Sequence, residues 1–297
     1  MKNLYKRGIL KLMSLGFFNW LSDEAYLKWK FKLQLNYNLH LEQPKTFNEK
    51  LNWLKINIFK PDYQKYNKYV DKYLVRDYIA KTLGEQYLVP LFGVYESIES
   101  IPWETLPEKF VLKCTTGSGG NVICTDKTKL NIKTEEKKLK SFIKQDYFWN
   151  FREYQYKGIK PRFICEQFIS ETDITPDDYK VYCFNGKARL LEFHINRFSK
   201  EHHTCDYYDE KLNKLDFTWG TVPSHNLVPP HPEQAKKIIE LSEIIARDFL
   251  HVRVDWYVVN GNISFGEITF INGGGFEKFD SYDDDLMLGS WLRLPID

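Results

Sequence analysis

The sequence predicts an α+β chain, and three observations predict it. Apolar side chains recur at helical spacing up to about residue 82, short strand-like runs take over from residue 87, and two Asn-Gly pairs stand between alternating segments. In the helical part, Ala25 to Leu35, then Phe47, Leu51, Trp53 and Leu54, then Tyr69, Tyr73, Leu74 and Tyr78 follow the 3.6-residue period. Pro44 and Thr46 precede Phe47, and Thr46 with Glu49 has capping-box spacing, in which each side chain closes on the other's backbone N–H. Gly84 ends this region, so residues 1–84 read as a mainly helical N-terminal part.

Residues 85–170 read as a second part, with strands at Tyr87 to Pro90, Gly93 to Tyr95, Phe110 to Cys114, Asn121 to Cys124 and Arg162 to Ile169, and a helix at Thr134 to Gln145. Residues 171–297 read as a third. Asn185-Gly186 joins strands at Tyr179 to Phe184 and Ala188 to Ile195, because Asn-Gly supplies the positive φ angles of a tight hairpin turn. An irregular stretch holds Tyr208, Trp219 and four prolines, 223, 229, 230 and 232. A helix at Pro232 to Phe249 and a last hairpin follow, and Asp283, Asp284 and Asp285 read as a solvated polar tail.

The chain of 297 residues is long enough for a substantial core. A net charge of +2 gives no nucleic-acid footprint, which needs clustered basic residues. Five cysteines, at 114, 124, 165, 183 and 205, form no Cys-x-x-Cys pair, so they indicate neither a disulfide framework nor a zinc site and suit a reducing cytoplasm. His202-His203 reads as a solvated doublet, since adjacent strand residues point apart. The N-terminus mixes Lys2, Lys6, Arg7 and Lys11 with Leu4, Ile9, Leu10, Leu12, Leu15, Phe17 and Phe18, which is neither a signal peptide nor a membrane span; it reads as a basic amphipathic helix that packs on its own domain, with contact to an anionic membrane as the alternative.

Chemistry concentrates in the last hairpin. Arg253 and Asp255 share one face of a strand, and Glu267 and Thr269 share one face of its partner. Two carboxylates on adjacent strands can hold a hard cation through oxygen, and a guanidinium beside them can fork onto phosphate. Register decides whether they meet. A regular two-residue Asn260-Gly261 loop pairs Asp255 with Gly266 and sends Glu267 to the far face, whereas a three-residue loop through Asn262, or a bulge, sets Asp255 opposite Glu267 and Arg253 opposite Thr269. If so, Asp255→Asn or Glu267→Gln should abolish turnover with little loss of stability.

A second constellation follows the strand Phe110 to Lys113, where Cys114, Thr115, Thr116, Gly117, Ser118, Gly119, Gly120 and Asn121 form a glycine-rich loop. Glycines let backbone N–H groups approach phosphate oxygens, small hydroxyls add donors, and Lys113 supplies a point charge. No Gly-Lys-Ser/Thr closes the loop, and Val122, Ile123 and Cys124 continue as strand, so it reads as a hairpin lid over nucleotide; a glycine-rich turn without function is the plain alternative. In Ile164 to Ile169, backbone groups of Gln167 and Ile169 flank Phe168 on an edge that could pair with adenine. Glu166 would accept from the purine amino group, and Asp173 would reach ribose hydroxyls.

Lysine strand, glycine lid, Glu-x-Phe-Ile strand, Arg-x-Asp and Gly-Glu-Ile-Thr, in that order, resemble the ATP-grasp superfamily. Thr46 to Trp53, Asp71 to Arg76, Asp178 to Phe184 and Gly266 to Phe270 resemble its TupA-like family of bacterial surface-polysaccharide clusters, over roughly residues 45 to 280. The resemblance implies the ATP-grasp fold, two α+β subdomains gripping ATP. It implies that Lys113 and the 115–121 loop hold phosphates, Glu166, Gln167, Phe168 and Ile169 adenine, Asp173 ribose, and Asp255 and Glu267 magnesium, while Lys180 and Arg253 face the transferring phosphate. Thr116 stands where the family usually has histidine. Thr269 stands where the superfamily has an asparagine ligand, leaving the third metal position to Thr269 or Asn272.

The implied activity is ATP-dependent ligation of a carboxylate to an amine through an acyl phosphate, with a carboxylated saccharide such as a uronic acid and an amino acid or other amine as substrates, in the cytoplasm or at the inner face of its membrane. A glycosyltransferase, and a non-catalytic polysaccharide-assembly protein, are the rival readings. Against the first, the one Asp-x-Asp, at Asp283 to Asp285, sits in the polar tail and reads as solvated and not as a nucleotide-sugar motif, and against the second stands the presence of Lys113, Asp255 and Glu267.

Overall fold

The computed structural model describes residues 2–144, 146–170, 175–197, 203–224 and 226–296. The chain divides into two units. One comprises Met1–Asn67, Gln145–Gly158 and Phe270–Asp297; the other comprises Lys68–Lys144 and Ile159–Thr269.

The first unit is helical: α1 (Lys2–Ser14), α2 (Asp23–Leu35), α3 (Phe47–Leu54), the start of α4 (Tyr63–Val70), and, from later in the chain, α7 (Tyr147–Phe151) and α9 (Tyr282–Trp291). The capping box forms at α3. The Glu49 backbone N–H donates to Thr46 Oγ1 over 3.2 Å, and Thr46 N–H donates to Glu49 Oε2 over 3.1 Å. All eight residues of α3 are buried, polar ones included. The polar ones are partnered, as burial requires: Asn48 exchanges bonds with the backbone of Glu277, Asn52 donates to Gly275 O at 2.6 Å, Lys50 to Leu292 O at 2.6 Å, and Lys55, just past the helix, to Gly274 O. The motif from Thr46 to Trp53 is thus a clamp on residues 274–292.

The acidic run is not the solvated tail the sequence suggests. Asp283, Asp284 and Asp285 fill the first turn of α9, where carboxylates suit the positive helix end, and Asp284 closes a capping box with Ser281. Asp285 is buried and accepts from Asn48 N (2.9 Å), Asn48 Nδ2 (2.8 Å) and Tyr37 OH (2.6 Å). Gly289 lets α9 pass close to the chain before α3, because a Cβ there would lie 2.2 Å from Lys45 O.

The second unit holds α5 (Leu74–Thr82), α6 (Ile132–Ile143), α8 (Pro232–Ala246) and two antiparallel sheets. The four-stranded sheet has the order β1 (Leu91–Tyr95), β4 (Phe163–Gln167), β2 (Phe110–Cys114), β3 (Asn121–Cys124). In β2 the alternation is clean. Phe110, Leu112 and Cys114 enter a core with Phe163, Cys165, Val122 and Leu139, while Val111 and Lys113 take the other face.

The five-stranded sheet has the order β7 (Thr204–Tyr208), β6 (Lys187–Ile195), β5 (Asp178–Phe184), β8 (His251–Val259), β9 (Asn262–Thr269). On one face α8 packs Ala235, Ile238, Leu241 and Ile245 against it, and Ser242 Oγ accepts from Trp256 Nε1 at 2.9 Å. The other face is polar.

Three local expectations change. Tyr87 to Pro90 is not a strand, since Glu85–Tyr87 is a short 3-10 turn and β1 starts at Leu91. Residues 204–208 form β7 within the stretch read as irregular. The helix read as Thr134 to Gln145 spans Ile132–Ile143, capped by Asn131, whose side chain accepts from Thr134 N.

Candidate functional site

The last hairpin sets the site. Its loop is the two-residue one: Val259 pairs with Asn262, and Asn260 and Gly261 both take positive φ, 51° and 74°. The three-residue alternative does not form. Register is instead shifted by a bulge: Trp256 pairs with Phe265 and Asp255 with Glu267, leaving Gly266 unpaired. Glycine fits there most easily, because a Cβ would lie 3.0 Å from Asp255 O and 3.2 Å from the Tyr257 ring and would press both back. The bulge brings Asp255 opposite Glu267 and Arg253 opposite Thr269.

These pairs extend across the sheet. Tyr207, Glu192, Lys180, Asp255 and Glu267 lie in one cross-strand row on β7, β6, β5, β8 and β9. Arg253 forks onto Asp255 at 2.6 and 2.8 Å and reaches Glu267 Oε1 at 3.3 Å and Thr269 Oγ1 at 3.2 Å. Lys180 donates to Asp255 Oδ2 at 2.7 Å and lies 3.6 Å from Asp178. Burial alone would raise the Asp255 carboxyl, but the charges and hydrogen bonds of Arg253 and Lys180 prevail and hold it well below the ordinary carboxylate range. Asp255 is therefore ionised at any physiological pH. Burial first, and then the charges of Asp178, Glu267 and Asp255, push the Tyr257 hydroxyl far up, so it stays a neutral donor.

The four-stranded sheet presents Lys113. Its ammonium lies 2.7 Å from Glu166 Oε2, and Arg76 Nη1 donates to Glu166 Oε1 at 2.8 Å. Glu166, expected to meet a purine amino group, is thus held between two cations. Lys72 spans the two halves of the site: its N–H donates to Thr115 O at 2.9 Å, its ammonium to Gly117 O at 2.7 Å, and it lies 3.4 Å from Glu267 Oε2. Asp71 fixes this turn by accepting from Tyr73 N and Leu74 N.

Between the sheets lies a cavity of about 240 Å³. Among the expected residues, its lining includes Lys113, Gly117, Ser118, Gly119, Asn121, Glu166, Gln167, Phe168, Ile169, Asp255 and Glu267. Thr115, Thr116 and Gly120 lie outside the lining. Thr115 is buried, its hydroxyl accepting from Arg162 N at 3.2 Å; Thr116 Oγ1 is 3.7 Å from Cys114 Sγ; Gly120 leaves room for Phe142. Arg253 and Lys180 also sit outside it, bonded to carboxylates that line it, as does Thr269, whose hydroxyl accepts from Arg253. Asp173 lies outside the described residues. Asn272 belongs to the other unit and is buried there.

Sequence reasoning missed the roles of Lys72 and Arg76. Both lie in the phrase Asp71 to Arg76 that carries part of the family resemblance, but on a helix start no spacing rule ties them to distant strands. Arg197 and Tyr257, which also line the cavity, gave no signal.

The sequence profile of the TupA-like ATP-grasp family matches residues 49–293. No curated protein sequence matches the chain. Among solved structures, the chain is similar to the ADP complex of purK, N5-carboxyaminoimidazole ribonucleotide synthetase, with TM-score 0.44 and 14% identity over 77% of this chain and 52% of that one. It is similar to D-alanine–D-alanine ligase from Bacillus anthracis complexed with ATP, with TM-score 0.40 and 14% identity over 69% and 55%. For D-cycloserine synthetase DcsG the values are 0.39 and 12% over 77% and 70%. The chain spans little more than half the length of the first two.

Proposed function

The chain belongs to the TupA-like ATP-grasp family and has the ATP-grasp fold, and on that footing we propose that it is an ATP-dependent ligase that joins a carboxylate to an amine through an acyl phosphate. The observation that carries this is the pairing of Asp255 with Glu267 across the bulge, on the cavity that Lys113 and the glycine loop line from the other sheet. Two ionisable oxygen ligands on adjacent strands, the buried one held ionised, suit magnesium. Asp255 and Glu267, with the Thr269 hydroxyl, are the residues that would hold it. When bound, the ion neutralises charge on the triphosphate.

The chain's own residues do the rest by position and charge. Glu166 and Arg76 orient Lys113 toward the phosphates. Gly117, Ser118 and Gly119 offer backbone N–H groups, the two glycines at positive φ, 71° and 104°. The edge from Gln167 to Ile169 takes adenine, and Asp173 the ribose. Arg253 and Lys180 hold both carboxylates in place and set two positive charges beside the phosphoryl in flight. The γ-phosphoryl passes to the substrate carboxylate, the amine attacks the acyl carbon, and phosphate leaves, with ADP as the other product.

The resemblance supports a uronic-acid-type saccharide and an amino acid or other amine as substrates, in the decoration of a bacterial surface polysaccharide on the cytoplasmic side. No helix among the described residues is long and apolar enough to cross a membrane. Tyr5, Leu15, Phe17 and Trp20 are 72%, 63%, 64% and 79% exposed beside Lys6, Arg7 and Lys11, which supports peripheral contact with an anionic bilayer.

Incubation with ATP, magnesium, uronic-acid saccharides labelled with oxygen-18 in the carboxylate, and a panel of amines should yield an amide by mass spectrometry, with label in phosphate. AMP and pyrophosphate as products would show an adenylating enzyme instead. Tight binding of a nucleotide-sugar, with no adenine nucleotide bound, would favour a glycosyltransferase.

A further inference from the structure

On the polar face of the five-stranded sheet, away from the Asp255–Glu267 pair, three ligating side chains of different chemistry converge. Glu192 and His194 are two apart on β6 and share its face, and Cys205 on β7 is the cross-strand partner of His194. His194 Nε2 lies 2.7 Å from Glu192 Oε1, Cys205 Sγ lies 3.8 Å from that oxygen and 4.0 Å from His194 Nε2. All three residues are buried or nearly so. We propose that Glu192, His194 and Cys205 are the protein ligands of a zinc ion, at a site separate from the nucleotide cavity.

Distance supports it. Bonds of zinc to sulfur, nitrogen and oxygen at tetrahedral angles set ligand atoms roughly 3.4–3.6 Å apart. The two sulfur distances are within about half an ångström of that range, and the Glu192–His194 contact has only to open once its shared proton is displaced.

The surroundings support it independently. A histidine that binds metal through one ring nitrogen characteristically bonds an orienting group through the other. His194 Nδ1 lies 2.9 Å from His203 Nε2, which leaves Nε2 turned to the cluster. Tyr182 OH donates to Glu192 Oε2 at 2.5 Å, which leaves Oε1 turned to the cluster. Lys180, the nearest cation across the sheet, is engaged by Asp255. One carboxylate, one thiolate and one neutral imidazole balance the charge of a divalent ion, so the buried site is neutral when filled. On binding, the sulfur–zinc, nitrogen–zinc and oxygen–zinc bonds form, the thiol proton leaves to solvent, and neutral His194 binds as the tautomer that carries its proton on Nδ1, donated to His203 Nε2. The thiolate selects a borderline ion over magnesium, and three protein ligands leave a fourth position for an oxygen.

The full chain, purified without chelator and dialysed, should retain one equivalent of zinc by elemental analysis. Cobalt exchanged into it should show visible bands of a tetrahedral ion and a thiolate-to-cobalt charge-transfer band. Cys205→Ser should abolish the charge-transfer band, and His203→Gln should weaken zinc binding by about 10–100-fold, with circular dichroism confirming that each variant folds. Wild-type protein with no retained zinc, cobalt bound without the thiolate band, or a band that survives in folded Cys205→Ser would each overturn the proposal. The wild-type measurements decide the matter even if a variant does not fold, and none of them depends on the ligase reading.

Discussion

Asp255 and Glu267 look equivalent in sequence and are not equivalent in the fold. Asp255 is 3% exposed and held by two cations, whereas the Glu267 side chain is 34% exposed at the cavity. Removing one charge of a buried, hydrogen-bonded group strands its partners, at a cost of about 3–5 kcal/mol. Asp255→Asn should therefore lower stability by about that amount in urea unfolding, against the expectation that either variant leaves the fold intact. Glu267→Gln should cost less than about 1 kcal/mol while lowering turnover by about 100-fold or more, as loss of a metal-binding group does. Unchanged turnover in Glu267→Gln would remove the metal assignment. Lys55 gives a second test. Burial, only partly offset by Glu153 and reinforced by the charge of Lys30, pushes it down to about 7 from 10.5. Between those values the unfolded chain binds a proton that the folded chain does not, so this lysine makes stability rise with pH from about 7 toward 10.5. Glu153, pushed up to about 7 from 4.5 by burial despite Lys55, works in the opposite sense, since folding takes up a proton in that window and stability falls as pH rises through it. Melting temperatures across pH 5 to 10 should show a shallow minimum near neutrality, and Lys55→Met should flatten its alkaline side.

At the scale of elements, the hairpin of β8 and β9 shows where a sequence stops informing. Asn260-Gly261 announced a turn, and the Arg-x-Asp and Glu-x-Thr phrases announced a shared face, but the two are compatible only through the bulge at Gly266. Nothing local marks a bulge except the glycine itself. Gly266→Val should destabilise by about 1–3 kcal/mol through overpacking and should raise the KM for ATP more than it lowers kcat, because the new side chain presses on Tyr257 at the cavity. An unaltered KM would show that this contact does not shape the nucleotide site. The same limit explains α3. Apolar period and capping box placed the helix, but not the burial of Asn48, Asn52 and Lys55, whose partners lie some 220 residues further on. β7 was missed because the charged and polar side chains of Thr204–Tyr208 break strand alternation and are buried by tertiary contacts, through pairing with β6 and cover from Lys214, Phe217, Trp219 and Ser224.

For the molecule as a whole, the order of motifs carried more than any single one. Lysine strand, glycine loop and carboxylate hairpin were legible because each has a local physical signature. Lys72 and Arg76 were not, because their value comes from a helix start laid against strands about 45 and 90 residues away. If the cavity holds nucleotide, ATP with magnesium at 100 times its dissociation constant should stabilise the chain by about 2.7 kcal/mol, read as a shift in melting temperature that Glu267→Gln largely removes.

The unit that contains α3 and α9 is stitched from three stretches of chain, with residues 1–67 at one end and 270–297 at the other. On a ribosome, where chains emerge N-terminal end first at about 5–20 residues per second, α3 must wait for more than 200 further residues before the carbonyls and carboxylate that satisfy it exist. Until then Asn48, Asn52 and Lys55 have only one another and lack their partners in residues 274–285. The unit that holds both sheets, whose strands pair within residues 68–269, has all its own segments earlier. Synthesis therefore delivers the two sheets first and the clamp last, and an arrested nascent chain cut near residue 270 is the form in which to look for a folded sheet pair and an unfolded N-terminus.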